Sequence, residues 1–146
     1  MSAYKRILAA VDGSKASNKG LREALRLAKS EGARLVLLNV VDEFPAFATL
    51  EAPAIDLTPM LREGGKRILA RAQAAARKAG VKPLVVMRET IGGPAADAIV
   101  REAKKQRADL IVLGTHGRRG VRRMLLGSDA GQVVSLSSVP VLLVRG

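Results

Sequence analysis

The apolar run Leu110-Ile111-Val112-Leu113 passes without a break into Gly114-Thr115-His116-Gly117-Arg118-Arg119-Gly120. Val121-Arg122-Arg123-Met124-Leu125-Leu126 then leads to Gly127-Ser128 and a short helical pattern. A brief apolar run with no polar alternation suits a strand covered on both faces. Glycines where such a strand gives way to a helix, with arginines between them, are what an anion-binding loop requires. Backbone N–H groups can close on a phosphate only where no Cβ intervenes, and a helix N-terminus favours negative charge.

The same strand–helix rhythm runs outward through the whole chain. Ile7-Leu8-Ala9-Ala10-Val11 is a strand that stops at Asp12-Gly13-Ser14, where Ser14 or Ser17 can cap a helix. That helix buries Leu21, Ala24, Leu25 and Ala28, spaced i, i+3, i+4, i+7, and ends at Gly32. Leu35 to Val41 is a second strand, apolar apart from Asn39. Residues 42–59 carry Pro45, Pro53 and Pro59 without helical period, which at that length predicts a lid, partner surface or mobile segment. Thr58 reads as a helix cap with Pro59 at the first helical position. Leu61, Ile68, Leu69, Ala72, Ala76 and Ala79 form that helix's inner stripe. Gly64-Gly65 should weaken it by about 1 kcal/mol each relative to alanine.

Leu84 to Met87 is a third strand, and Gly92-Gly93-Pro94 opens a helix that buries Ala96, Ile99, Val100 and Ala103. A plain helix start is the preferred reading of Gly92-Gly93-Pro94 over an anion site. After the opening loop, Ala130, Val133, Val134 and Ser137 mark a last helix, and Val139 to Val144 a fifth strand. Five strands alternating with helices predict a single α/β domain over residues 1–146, a doubly wound five-stranded parallel sheet with helices on both faces.

Composition narrows the chemistry. At 146 residues the chain can bury roughly 70% of its unfolded surface. Aromatics are 2% of it, so the core must be aliphatic, and base-stacking single-strand modules are disfavoured. The absence of cysteine excludes disulfides, thiolate metal sites and cysteine nucleophiles, and His116 stands alone as a histidine. A net charge of +12 suits a polyanionic partner or a merely solvated basic surface, and composition does not choose between them. No apolar run approaches the ~20 residues that span a bilayer. Met1 to Arg6 lacks a signal-peptide pattern, so a cytoplasmic protein is expected.

In open parallel sheets, ligands bind beyond the strand carboxyl ends where the strand order reverses. Asp12-Gly13-Ser14 and the loop after the fourth strand are the two strand ends with distinctive polar text. A Gly-x4-Gly-Lys-Ser/Thr loop is absent, Gly-x-Gly-x-x-Gly does not follow the first strand, and Arg88-Glu89 lacks the phosphoacceptor aspartate of a receiver domain. What remains is Gly114-x2-Gly117-x9-Gly127-Ser128.

Together with Val11-Asp12-Gly13-Ser14 and Pro140-Val141-Leu142-Leu143-Val144-Arg145, this pattern resembles the ATP-binding branch of the universal stress protein family. The resemblance spans nearly the whole chain. It implies an adenine nucleotide alpha hydrolase-like fold with strand order 3-2-1-4-5, and a homodimer through the strand Val139–Val144. By motif position, Asp12 would lie near ribose, phosphates and a Mg ion carried by ATP, and Val40 and Val41 would line the adenine pocket. Gly114, Gly117 and Gly127 would wrap the phosphates and Ser128 would bond a terminal oxygen. Val11, Gly13, Ser14 and His116 complete the nucleotide-contacting set, and Arg118 could add charge-assisted bonds.

Asp12 and Ser128 each have a second reading as helix caps, and Arg119, Arg122 and Arg123 read as solvated. Asp129, Gly131 and Ser135 depart from the family pattern, the first by placing an acid beside Ser128. The implied function is an ATP-binding, stress-responsive regulatory module with no assigned catalytic residue, capable of slow hydrolysis or autophosphorylation at most. A nucleotide hydrolase or adenylyl-transferring enzyme, and a basic nucleic-acid-binding protein, are the alternatives.

Overall fold

The computed structural model describes residues 2–42, 57–116 and 126–146. In chain order it contains β1 (Arg6–Ala10), α1 (Lys15–Glu31), β2 (Arg34–Asp42), α2 (Thr58–Lys78) and β3 (Leu84–Thr90). These are followed by α3 (Ala95–Lys105), β4 (Leu110–Gly114), α4 (Ser128–Leu136) and β5 (Val141–Val144). All strand pairs are parallel, in the order β3-β2-β1-β4-β5, as the sequence led us to expect. The order reverses at β1, which is flanked by β2 on one side and β4 on the other.

Alternation along each strand divides the core into two aliphatic layers. Ile7, Ala9, Leu35, Leu37 and Val112 face α1 and α2, meeting Leu21, Leu25 and Leu69. Leu8, Val36, Leu38, Ile111 and Leu113 face α3 and α4, meeting Ile99, Val100 and Val133. Ile7, Leu8, Leu37, Leu38, Ile111 and Val133 are wholly inaccessible, each contributing roughly 1.5–3 kcal/mol by leaving water.

α1 lies unusually close to β4. A Cβ on Gly114 would stand 2.6 Å from Ala16 C and 2.7 Å from Ser17 N, and one on Gly20 would stand 3.3 Å from Gly114 N. Backbone meets backbone here, which fixes the start of α1 against the end of β4. Helix termination follows expectation: Gly32 caps α1 at φ 65°, and Gly80, at φ 82°, follows α2.

Several local expectations need correction. Thr58 does not cap α2, because Leu57 holds the cap position without a side-chain bond and Thr58 is already helical. Gly65 is a packing glycine rather than a weak point: its Cβ would come within 2.7 Å of Asn39 Oδ1. β3 runs on to Thr90, pairing Arg88 and Glu89 with Val40 and Val41, because an edge strand tolerates charge. In α4 only Ala130 and Val133 are buried, while Val134 is exposed and Ser137 is the C-cap, since a nine-residue helix presents one turn-spaced pair to the core. β5 begins at Val141 rather than Val139, after Pro140, which cannot donate to a ladder.

Candidate functional site

The chain leaves β1 under tight control. Val11 N–H donates to Leu38 O at 2.8 Å, and the buried Asn39 side chain donates through Nδ2 to Val11 O at 2.8 Å. Asp12 Oδ1 then accepts from Ser14 N–H at 2.8 Å, an Asx turn, while Asp12 N–H donates to Ser17 Oγ at 3.0 Å. Gly13 sits between them at φ 82°, a left-handed conformation that costs a residue with a Cβ about 1–2 kcal/mol. Ser14 is the N-cap of α1, its Oγ accepting from Ser17 N–H at 3.2 Å. Ser14 is therefore the cap, and Asp12 shapes the turn before it.

The second half of the site comes from the end of β4. Thr115 N–H donates to Val144 O at 2.9 Å, extending the β4–β5 ladder by one bond. Gly127 N–H donates to Thr115 O at 2.7 Å and pins the start of α4 to the residue that follows β4. A Cβ on Gly127 would stand 2.9 Å from that same oxygen, so glycine permits the closure. Gly127 holds the N-cap position of α4 and offers no side chain to its first N–H groups. Ser128 is thus the exposed first residue of the helix and not its cap. Uncapped N–H groups at a helix start are available to an anion.

A hydrogen bond between described residues joins the halves. The Ser14 hydroxyl donates to His116 O at 3.4 Å, across 102 residues of sequence. His116 contributes this carbonyl, and its ring Nδ1 lies 3.0 Å from Thr115 Oγ1. Asp12, Gly13, Ser14, Gly114, His116, Gly127 and Ser128 therefore cluster about the carboxyl ends of β1 and β4, on either side of the point where strand order reverses. Gly117 and Arg118 lie outside the described residues, as do Arg119, Arg122 and Arg123.

Val40 and Val41 end on opposite faces of β2. Val41 is buried beneath α2, with Cγ2 3.0 Å from the Cβ position of Gly65, whereas Val40 packs with the α3-side cluster. Val41 shares a face with Ile68 of α2, which a Cβ on Gly13 would approach to 3.3 Å. Gly114 is required as glycine by α1, whatever else its backbone does.

Two supporting residues, Asn39 and Thr115, escape the sequence reading, and Ser17 enters it only as an alternative cap of the first helix. Asn39, Ser17 and Thr115 hold the two strand ends in place by the bonds above. Asn39 had a visible signal, since a lone amide in a buried apolar run must find a partner. Ser17 reads only as a possible cap, whereas its hydroxyl accepts from Asp12 N–H, and Thr115 has no signal beyond proximity to the motifs.

The charge balance away from the site contains one internal pair. Arg88 Nε donates to Glu102 Oε1 at 2.7 Å, and Gln106 donates to Oε2 at 2.7 Å. Burial raises the Glu102 pKa, but those bonds and the charges of Arg88 and Lys105 outweigh it, leaving the carboxyl below its ordinary 4.5. This pair ties β3 to α3 and does not reach the strand ends.

The chain resembles known proteins over almost its full length. The model of the universal stress protein family matches residues 3–145. A universal stress protein of Methanocaldococcus jannaschii is 36% identical over 143 residues, covering 97% of this chain and 82% of the relative. The crystal structure of a universal stress protein family member from Burkholderia pseudomallei superposes with a TM-score of 0.80 at 34% identity, covering 100% of this chain and 99% of that one. A universal stress protein solved in complex with cAMP superposes with a TM-score of 0.68 at 29% identity, covering 99% and 98%. With fold, strand order and strand-end motifs in agreement, the chain belongs to the universal stress protein family.

Proposed function

We propose that this chain is an adenine-nucleotide-binding regulatory module whose ligand is ATP, carried with Mg. The observation that carries the reading is the junction of two strand ends, closed by Ser14 Oγ to His116 O and by Gly127 N to Thr115 O, at the reversal of strand order. The cAMP bound by a 29%-identical relative supports an adenine ligand for this architecture. The uncapped start of α4, with Ser128 exposed, would receive phosphate oxygens, each charge-assisted bond contributing roughly 1.5–3 kcal/mol. Gly117 and Arg118 would complete the phosphate loop. Asp12, its Oδ1 held by Ser14 N–H, would face ribose and the Mg ion that ATP brings, and Val41 would border the base.

The reading assigns no catalytic residue; hydrolysis or autophosphorylation would be slow and driven by cation and loop polarising the phosphates. β5 is an edge strand of Val141, Leu142, Leu143 and Val144 with no charge, whereas the opposite edge, β3, carries Arg88 and Glu89. An uncharged edge invites pairing, and a two-fold contact through β5 would cover it, making a homodimer. We place the protein in the cytoplasm; no helix among the described residues is long and apolar enough to cross a membrane.

The test is to denature the purified protein and identify released nucleotide by mass spectrometry, then titrate the emptied protein with ATP, ADP and AMP, with and without Mg. ATP found in the protein, or bound more tightly than AMP and helped by Mg, is expected. No released nucleotide together with no calorimetric signal refutes the reading.

A further inference from the structure

The net charge of +12 is distributed unevenly over the fold. Lys15, Lys19, Arg22, Arg26 and Lys29 form one unbroken stripe along α1, spaced i, i+4, i+7, i+11, i+14, and all five are exposed. α2, on the same side of the sheet, adds exposed Arg67, Arg71 and Lys78 at i, i+4, i+11. The opposite layer is close to balanced: α3 sets Arg101, Lys104 and Lys105 against Asp97 and Glu102, and α4 adds Asp129 with no base.

Little of the α1–α2 charge is used internally. Among the described residues, ion pairs on these helices join Arg26 with Glu23, Lys66 with Glu63, and Arg62 with Glu89. Lys15, Lys19, Arg22, Lys29, Arg67, Arg71 and Lys78 have no carboxylate partner among the described residues. A surface basic only for solubility has no reason to gather its cations on one side of a sheet.

We propose that the α1–α2 face binds double-stranded nucleic acid through its phosphate backbone, without sequence preference. The dimensions agree. Helices of 17 and 21 residues run about 25 and 31 Å on the same side of the sheet. A duplex offers one negative charge per about 1.7 Å of its axis, so the face meets phosphates along its whole length.

Other polyanions fit less well. An anionic membrane surface needs apolar side chains to insert, and the exposed large hydrophobics on these two helices reduce to Met60, in the first turn of α2. Single strands are held by aromatic stacking, and aromatics are 2% of the chain. The face does not involve Asp12, Gly127 or Ser128, so the proposal stands independently of the nucleotide reading.

The experiment is fluorescence anisotropy of a labelled mixed-sequence DNA duplex about two helical turns long, titrated with wild-type protein between about 50 and 200 mM salt. Binding is expected in the micromolar range at low salt, with a log–log salt slope near about −5, as for five or six neutralised phosphates. Arg22→Gln, Lys29→Gln and Arg71→Gln combined should weaken binding by about tenfold or more at low salt and flatten the slope by about three. Arg101→Gln, Lys104→Gln and Lys105→Gln combined remove the same charge from the opposite layer and should change affinity less than about threefold. Circular dichroism checks that both variants fold.

Equal losses in the two variants overturn the proposal, since net charge alone would then explain binding. So do absence of binding at low salt, tighter binding to the matching single strand, and loss of binding only when Arg118, Arg119, Arg122 and Arg123 are replaced. Phosphatidylserine–phosphatidylcholine vesicles should not bind; if they bind through α1 and α2 while the duplex does not, the face belongs to a membrane.

Discussion

Gly64 and Gly65 are adjacent in α2, share one helical backbone, and should respond oppositely to alanine. Replacing a helical glycine gains about 1 kcal/mol from backbone entropy at either position. At Gly64 nothing lies within 4 Å of the new methyl, so that gain should appear undiminished. At Gly65 the methyl would meet Asn39 Oδ1 at 2.7 Å, Val41 Cγ2 at 3.0 Å and Met87 Sδ at 3.1 Å. Asn39 cannot swing aside freely, because its Nδ2 donates to Val11 O in the interior. Overpacking costs about 1–3 kcal/mol, and breaking the Asn39 bond would strand a buried carbonyl at a similar cost.

Gly65→Ala should therefore be destabilising by up to about 2 kcal/mol net, placing the two variants about 1–3 kcal/mol apart. Urea unfolding followed by circular dichroism reads this directly as shifted midpoints at constant slope. Because Asn39 also holds the end of β1, Gly65→Ala should weaken nucleotide binding while Gly64→Ala leaves it unchanged. If both variants are stabilised equally, α2 does not rest on Asn39 as described and the account of the strand end fails with it.

Four further outcomes follow from the same geometry. Gly127→Ala should keep the fold and lower ATP affinity by about tenfold, because its methyl sits against Thr115 O; calorimetry unchanged from wild type would contradict the closure. Asp12→Asn retains an acceptor for Ser14 N–H and loses the charge, so its melting temperature should hold while the Mg-dependence of ATP binding disappears; equal Mg-dependence removes Asp12 from the cation's surroundings. Glu102 has a folded pKa below its ordinary 4.5, so its pairing contributes stability fully above that value and loses it as pH falls through the folded pKa. Glu102→Gln should accordingly trail wild type by a constant margin at neutral pH and converge with it in acid, and a margin that widens below pH 4.5 would reverse the sign. The wild-type protein should sediment as a dimer at micromolar concentration, with or without ATP; a monomer in both conditions removes the β5 contact.

The architecture was legible because it rests on coarse signals. Apolar runs of strand length, interrupted by 3.6-period helices, admit few arrangements once crossovers are right-handed. The strand order itself came with the family resemblance, carried by Asp12-Gly13-Ser14 and Gly127-Ser128. Errors arose where a residue has one identity and two uses. Gly65 was read from intrinsic propensity as a flaw, and tertiary contact with Asn39 makes it a necessity. Thr58 reads as a cap by residue preference, yet the cap position falls one residue earlier, on Leu57; the second reading of Ser128 as a cap fails in the same way, on Gly127. Val134 was assigned inward by spacing, but α4 is too short to bury both it and Val133.

Gly114, which ends β4, and Gly127, which precedes α4, illustrate why this glycine motif is so readable. Gly114 cannot carry a Cβ because α1 backbone lies 2.6 Å from where it would be, and Gly127 cannot because Thr115 O lies 2.9 Å away. Neither restriction involves a ligand. Both act on the joint between β4, the start of α1 and the start of α4, where the proposed nucleotide site lies. Substituting Gly114 should thus damage folding and binding together, whereas Gly127→Ala should separate them. A methyl at Gly114 meets backbone on the first turn of a long helix, and a methyl at Gly127 meets one carbonyl at the edge of a loop. Measuring both variants by urea unfolding and by ATP titration distinguishes the glycine that builds the fold from the one that closes the site. If Gly114→Ala proves as stable as wild type, the contact between α1 and β4 is looser than 2.6 Å allows, and the loop's spacing reflects the ligand alone.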